Sequence, residues 1–541
     1  MSDTVFGSCQ ASSSPGGNNS TEVLECVSNF FQEQSEAKSS DLNDFLLILA
    51  GAMIFFMQAG FAMLCAGSVR LKNVQNTMLK NLLDACGAAI AFYLVGYAFA
   101  FGGQSSTTAT TFIGIKDFAS VGESASFWFF QYTFSATSVT IVAGTLAERC
   151  QMAAYLCYSV FLAGFVYPVV AHSVWSNNGF LSTANIEPLL NIGAVDFAGS
   201  GVVHLTGGTT ALYATMVLGP RRGRFFDAQG EPLDTPKPFP GHSVALQVLG
   251  TMILWYGWFG FNPGSALVLG IDNPGSVAAT AAVSTALAGA AGGVAALFTN
   301  LFLEERATGE PKFDLSMCFN GALSGLVAIT AGCGVVEPWA AIIIGILAGW
   351  MYMWSANLLV RLRIDDAVEA IPVHMFNGIW GIIAVGFLAS PTLMEEAYGT
   401  GEYPGFFYAL ANGSFRANLL GCQFILALFV CGWTLFTMMP FFIWLNYKGW
   451  LRADSLEELV GLDISYHGGM DVKDGSVKKE YVEAFKRHKK GSMRDRRRSG
   501  TMNESDGGWE DSSGRRGRGG PGGDPDVDQE AAAEEAYEAG E

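Results

Sequence analysis

DFAGSGVVHLTGG, residues 196–208, sets the reading of this chain. Asp196 opens the stretch, His204 follows eight residues later, and Gly208 stands four residues beyond the histidine. The pattern returns at DAVEAIPVHMFNG, residues 366–378, with Asp366, His374 and Gly378 at the same spacings and a Val before each His. A fainter echo lies further out. AGF and AGS, at Ala59–Phe61 and Ala66–Ser68, match FGF and PGS, at Phe259–Phe261 and Pro263–Ser265.

The sequence around these motifs is strongly apolar. Apolar spans fall near 42–69, 78–102, 126–148, 152–174, 199–219, 241–265, 276–303, 314–335, 338–360, 370–390 and 417–447. Most are long enough to cross roughly 30 Å of hydrocarbon. Half of the 541 residues are hydrophobic and only 15% are charged, against about 25% in a soluble protein. Mean hydropathy is +0.30. The 65 glycines suit membrane helices, where small residues let backbones approach. The expected fold is an all-α integral membrane protein with eleven transmembrane helices. Polar segments flank the membrane domain of 42–447: a tail of 1–41, a segment of 448–490, and a Gly-, Arg- and acid-rich end at 491–541 with the composition of a disordered chain. The N-terminus lacks the basic start and short apolar run of a signal peptide.

The matched motifs sit in spans five and ten, so the repeat is five spans long. An odd repeat inserts its second copy upside down, and the chain becomes an inverted five-plus-five helix repeat plus a final helix. Such repeats place a pathway at the midplane where the halves meet. His204 and His374 then face each other across the pseudo-twofold axis. A lone intramembrane His can simply hydrogen-bond a neighbouring carbonyl, but a pair at matched positions argues for function. Two imidazoles without a thiolate or carboxylate fall short of a metal site. No cofactor motif or catalytic nucleophile constellation appears, so an enzyme is not expected, nor is a nucleic-acid partner.

Basic residues give the orientation. Arg70, Lys72, Arg149, Arg221, Arg222, Arg224, Lys237, Arg306, Lys312, Arg361 and Arg363 follow odd-numbered spans. Only Lys116 and Arg416 follow even ones, and only Lys38 lies in the N-terminal tail. The positive-inside rule puts the N-terminus outside and the C-terminus inside. The outer side then carries fifteen acids against three bases, which concentrates cations locally, although solubility of exposed loops is the preferred reading. Two overlapping sequons, starting at Asn18 and Asn19, fall on the glycosylation-competent side. So do Cys9 and Cys26, where disulfides persist; they are expected to bridge, within one tail or between subunits. Lys80 and Asp84 suit an i,i+4 pair near the inner end of span two. The Gly289/Gly293 and Gly345/Gly349 spacings suit helix packing.

The stretch at 196–208 resembles the signature of the Amt/Mep/Rh ammonium transporter family. The resemblance continues in QAGFAMLCAGSVR at 58–70, FFQYTFSATSVTIVAGTLAER at 129–149, WFGFNPGS at 258–265 and DDAVEAIPVHMFNGIWG at 365–381. CAGSVR, FNPGS and GLDISYHGG at 461–469 resemble the plant and algal branch. The resemblance implies a homotrimer in the plasma membrane, with one pore per subunit. It implies an outer site for ammonium formed by Trp175, Phe130 and the Ser265 hydroxyl, with Asp196 supporting it from below. Phe134 and Phe261 form a gate, and Trp258, His204 and His374 line the pore. It also makes Ser465 the counterpart of a regulatory threonine whose phosphorylation by a kinase closes the transporter.

The residue types fit that task. Ammonium is nearly the size of potassium, so size cannot select it. An aromatic face attracts any small cation by about 0.5–2 kcal/mol, and a hydroxyl can accept from the four N–H donors of ammonium. An apolar pore opposes any ion, because desolvation costs several kcal/mol. Ammonium can shed a proton and cross as ammonia, with the proton passing separately through the imidazole pair. The sequence leaves open an ammonium sensor signalling through the tail, and a neutral gas channel. The basic run at 488–499 suits anionic lipid or a kinase site at Ser499.

Overall fold

The computed structural model describes residues 9, 20–103, 110–227, 229–271 and 273–467. The sequons at Asn18 and Asn19, the run at 488–499 with Ser499, and the end at 491–541 lie outside the described residues. Among the described residues every regular element is a helix, joined by loops with three isolated β-bridges. Helix α1 is Ser20–Ser68, α2 is Leu71–Phe101, and α3 is Ala125–Thr145, capped by the Ser124 hydroxyl. Helix α4 is Met152–Trp175. Helix α5 starts as a π-wound segment, Ser200–Leu205, and continues as Thr206–Leu218. Then come α6 (Val244–Val268), α7 (Pro274–Thr308), α8 (Leu315–Ile329), α9 (Pro338–Arg361), α10 (Ile371–Leu388) and α11 (Asn418–Tyr447). Proline opens α7 and α9, where its missing N–H costs nothing.

Among the described residues, eight helices are long and apolar enough to cross a membrane: the membrane part of α1 (Lys38–Ser68), α2, α4, α6, α7, α9, α10 and α11. They carry apolar side chains on their outer faces, Leu428 and Phe436 being 73% and 79% exposed. That arrangement suits a hydrocarbon surround. Helices α3, α5 and α8 stand where the other three expected spans were read. They are more polar or shorter for a physical reason: every residue from Phe130 to Thr145 and from Ser200 to Ala211 is buried. Helices shielded from lipid by their neighbours can carry Thr, Ser and Gln.

The two matched segments cross at the centre, and their matched glycines permit the crossing. A Cβ on Gly208 would lie 2.4 Å from the Met375 nitrogen, and one on Gly378 would lie 2.8 Å from the Ser200 oxygen. Other glycines join α7 to its neighbours. A Cβ on Gly345 would meet the Ala288 oxygen at 2.3 Å, and one on Gly349 the Gly292 oxygen at 2.6 Å. Gly289 and Gly293 face α8 instead, against Leu326 and Ala322.

One expected pair is not formed. Lys80 does not reach Asp84. Its ammonium donates to the Cys150 oxygen at 2.7 Å and lies 4.3 Å from the Tyr155 ring centre. Asp84 accepts from the Tyr158 hydroxyl at 3.2 Å. Both side chains are buried, so contacts to α4 and the loop before it outweigh the weak i,i+4 preference of an exposed helix.

Beyond α11 the chain folds back. Helix α12 (Ser455–Val460) carries a capping box between Asp454 and Glu457, and α13 is Leu462–His467. Asp463 accepts from the backbone N–H groups of Asn76 at 2.7 Å and Gln75 at 3.0 Å. After the opening 3-10 turn Leu71–Asn73, α2 becomes α-wound at Val74, and the tail supplies the partners that this first α-turn lacks. Lys72 donates to the Leu459 oxygen at 2.6 Å, and Arg452 pairs with Glu458 at 2.8 Å.

Candidate functional site

A vestibule of about 670 Å³ opens at one end of the bundle. Phe130, Phe134, Trp175, Asp196 and Ser265 line it together with Gln131, Phe127 and Tyr398. Trp175 is fixed by its indole N–H, which donates to the Asp196 backbone oxygen at 2.8 Å. The Trp175 ring stands edge-on to Phe134, centres 5.7 Å apart, and Phe130 lies 4.9 Å from Phe134. The Ser265 hydroxyl donates to the Phe261 oxygen at 2.9 Å, which leaves its lone pairs for a donor in the vestibule.

The floor is a ring pair. Phe134 and Phe261 approach to 4.1 Å between centres. His204 follows, stacked on Trp258 at 5.2 Å and 5.6 Å from Phe261. His374 stacks on His204 at 5.2 Å, and their Nδ1 atoms are 3.1 Å apart. Between two neutral imidazoles one Nδ1 must donate and the other accept, so a proton passed along the pair switches both tautomers. The outer nitrogen of His204, Nε2, has no protein partner. Beyond His374 lies a chamber of about 20 Å³, lined by Phe61, Cys65, Asn320, Val368 and His374 among others. That is room for about one small molecule.

Backbone geometry holds the two histidines. Both lie in π-wound openings, Ser200–Leu205 and Ile371–Phe376. The wide turn aims a side chain that a regular helix would rotate away, and such turns are frequent at functional sites. Each opening is capped by its matched acid. Asp196 Oδ2 accepts from Gly201 at 2.9 Å and Val202 at 2.8 Å, and Asp366 Oδ2 accepts from Ile371 at 2.7 Å. In both copies the acid reaches the N–H five residues on. The remaining oxygen of Asp196, Oδ1, has no partner and is buried.

The structure thus gathers Trp175, Phe130, Ser265, Asp196, Phe134, Phe261, Trp258, His204 and His374 into one connected group, from the vestibule to the imidazole pair. Ser465 lies apart, buried in α13, donating to the Gly461 oxygen at 3.0 Å. Cys26, on the N-terminal stretch of α1, is joined within the chain to Cys9, Cα atoms 5.7 Å apart. Gln131 and Asn320 are lining residues that the sequence reading passed over. The available signal was the one amide side chain in each of α3 and α8. Among the described residues, no group of three or more His, Cys, Asp or Glu side chains could hold a metal ion.

Fold and site together define a multi-pass membrane protein with an aromatic-floored vestibule above a buried imidazole pair. Residues 45–472 match the model of the Ammonium Transporter Family. The chain is 42% identical to Ammonium transporter 1 member 3 of Solanum lycopersicum, over 80% of this chain and 94% of that protein. It is 44% identical to Ammonium transporter 1 member 1 of Oryza sativa subsp. japonica, over 75% of this chain and 81% of that protein. Among solved structures it is similar to a Sensor Amt Protein, with 31% identity, a TM-score of 0.67, and coverage of 80% of this chain and 99% of that one. It is also similar to Saccharomyces cerevisiae Mep2, with 26% identity, a TM-score of 0.65, and coverage of 76% and 89%. The chain belongs to the Ammonium Transporter Family, a family of transporters and not of enzymes.

Proposed function

We propose that this protein moves ammonium across the plasma membrane through eleven crossings, with the N-terminus outside, the C-terminus inside and three copies per assembly. Ammonium is drawn into the vestibule, where Trp175 and Phe130 offer π faces and Ser265 offers an acceptor. At the Phe134–Phe261 floor it gives a proton to the imidazole pair and continues as ammonia past Trp258, His204 and His374. The proton follows along the imidazole pair. Potassium has no proton to shed, so the dry passage stops it.

The observation that carries the reading is the imidazole pair, Nδ1 atoms 3.1 Å apart, directly behind two phenyl rings 4.1 Å apart. A closed apolar floor obstructs an ion, and a linked donor–acceptor pair behind it suits a proton. Two-electrode recording of ammonium-evoked current, with potassium and methylammonium as comparisons, tests it. His204→Ala and His374→Ala are each expected to abolish selective transport. Wild-type currents in both, with potassium still excluded, would sink the proposal. A second reading is an ammonium sensor, favoured by the tail docked on the first turn of α2. It predicts a signal that survives when flux is blocked.

A further inference from the structure

Glu369 stands out on the opposite side of the histidines from the vestibule. Its φ of 58° lies in the left-handed region, uncommon and costly for a residue with a long side chain. The strain is matched by a tight grip on its carboxylate. The Tyr352 hydroxyl donates to Oε2 at 2.5 Å, and the Asn320 amide donates to the same oxygen at 2.7 Å. Asn320 also donates to the Tyr352 oxygen at 3.1 Å, which closes a triangle across α8, α9 and the loop before α10. Asn320 itself lines the small chamber below His374, as do Val368 and Ala370 on either side of Glu369. The carboxylate is therefore one hydrogen bond, through the Asn320 amide, from the first space that ammonia meets after the imidazoles.

We infer that Glu369 is the exit group of the pathway, the acid that returns the travelling proton to ammonia. The inference rests on the proposed transport reading. In the forward step, a proton leaves the imidazolium of the pair and forms an O–H bond on the Glu369 carboxylate. That O–H bond then breaks as an N–H bond forms on ammonia. Ammonium leaves, the imidazole is neutral again, and the carboxylate is ready for the next proton. Tyr352 and Asn320 hold Oε2 and so fix where Oε1 stands. The chamber, with room for about one small molecule, keeps one ammonia at a time beside Asn320.

The surroundings suit a group that takes up and releases a proton. Burial raises the Glu369 carboxyl above its usual value; the Tyr352 hydrogen bond opposes this, the charges of Asp366 and Asp314 add to the rise, and the Asn320 bond opposes it again. Arg224 is the cation facing this cluster, but the carboxylate's hydrogen bonds go to the neutral Tyr352 and Asn320. A carboxyl raised in this way can be protonated nearer neutral pH than a free glutamate, whereas one paired with a guanidinium would stay ionised.

The test is ammonium-evoked current in excised inside-out patches, with the pH of the cytoplasmic face varied and surface level normalised by a fluorescent tag. Glu369→Gln keeps the shape of the site and is expected to lower the current about a hundredfold, the low end for a lost proton-transfer group, and to flatten its dependence on cytoplasmic pH. Glu369→Asp should restore part of both. Tyr352→Phe removes one donor to the charged form, so the midpoint of the pH dependence should move upward. Wild-type current and pH dependence in Glu369→Gln overturn the inference. Should that variant fail to reach the membrane, an unmoved midpoint in Tyr352→Phe overturns it instead. His204→Ala, recorded alongside, separates the failures. If it conducts as wild type the transport reading falls, and if it is silent while Glu369→Gln is normal only the exit group falls.

Discussion

At the scale of single residues, the outer site works by rigidity. A ring that attracts a cation must not swing away, and the Trp175 indole is tied to the Asp196 backbone by a 2.8 Å bond. Asp196 is itself tied to the start of α5 through Gly201 and Val202. The Trp175 indole at the end of α4 and the Asp196 carboxylate before α5 are thus held in one arrangement before substrate arrives, and little ordering entropy remains to be lost on binding. Removing the indole face should weaken capture by about 0.5–2 kcal/mol. Trp175→Leu is therefore expected to raise the half-saturating ammonium concentration several-fold or to change maximal flux. A concentration dependence and maximal rate both equal to wild type would reject the assignment. Residue-scale legibility was uneven. His204, His374 and both capping acids could be read from spacing, because each pair repeats it. The partners of Lys80 could not, because the Cys150 oxygen lies seventy positions away in sequence and only packing brings it close.

At the scale of elements, the broken starts of α5 and α10 and the docked tail carry the argument. The tail ends in α13, where Ser465 is only 6% exposed and Asp463 caps α2. A phosphate brings about −1.5 to −2 charges and three acceptor oxygens. Placed on Ser465, it would be buried two residues from the Asp463 carboxylate, so α13 must leave its seat. The first turn of α2 would lose its cap, which costs about 0.5–2 kcal/mol. Ser465→Asp is accordingly expected to lose transport while remaining at the membrane, and Ser465→Ala to keep it. A fully active Ser465→Asp protein would show that the docked tail does not set the active state. The π-winding of both histidine segments was hidden in the sequence, since a single inserted residue in a helix leaves the hydropathy pattern nearly unchanged.

At the scale of the molecule, an ion network ties together the ends of helices distant in sequence. Glu148 pairs with Arg70 at 2.5 Å and Arg221 at 3.2 Å, and Arg221 pairs with Asp365 at 2.8 Å. Arg149 adds a bond to the Asp365 backbone oxygen at 2.6 Å. Burial alone would raise the Asp365 carboxyl, but the charge and hydrogen bonds of Arg221 hold it well below the usual carboxylate range. Glu148 is lowered in the same way, burial being outweighed by Arg221 and then Arg70. Because folding lowers both carboxyls, the unfolded chain binds more protons than the folded one in acid. Stability from the network should be complete above about pH 5, beyond the free carboxyl values near 4, and should fall as the pH drops below that. Thermal unfolding in detergent from pH 7 to pH 3 should show the loss. Asp365→Asn should be destabilised at neutral pH by about 3 kcal/mol, since it leaves Arg221 buried with half its partners. A flat profile, shared by wild type and variant, would mean the network does not stabilise the fold.

The sequence by itself determined that the chain is an all-helical membrane protein, with two histidines in a repeated Asp–His–Gly spacing. Hydropathy over some twenty residues and the spacing of a few polar groups are local properties, and a bilayer leaves the backbone almost no choice but helix. Tertiary structure alone decided the rest. It brought His204 within 3.1 Å of His374 across 170 positions, seated α13 on α2 across nearly 390, and stood Glu369 against Tyr352 and Asn320. These contacts depend on which face each helix turns inward and how closely glycines let it approach. Those are properties of the packed assembly, where close contact selects one arrangement among many that the same apolar pattern would allow.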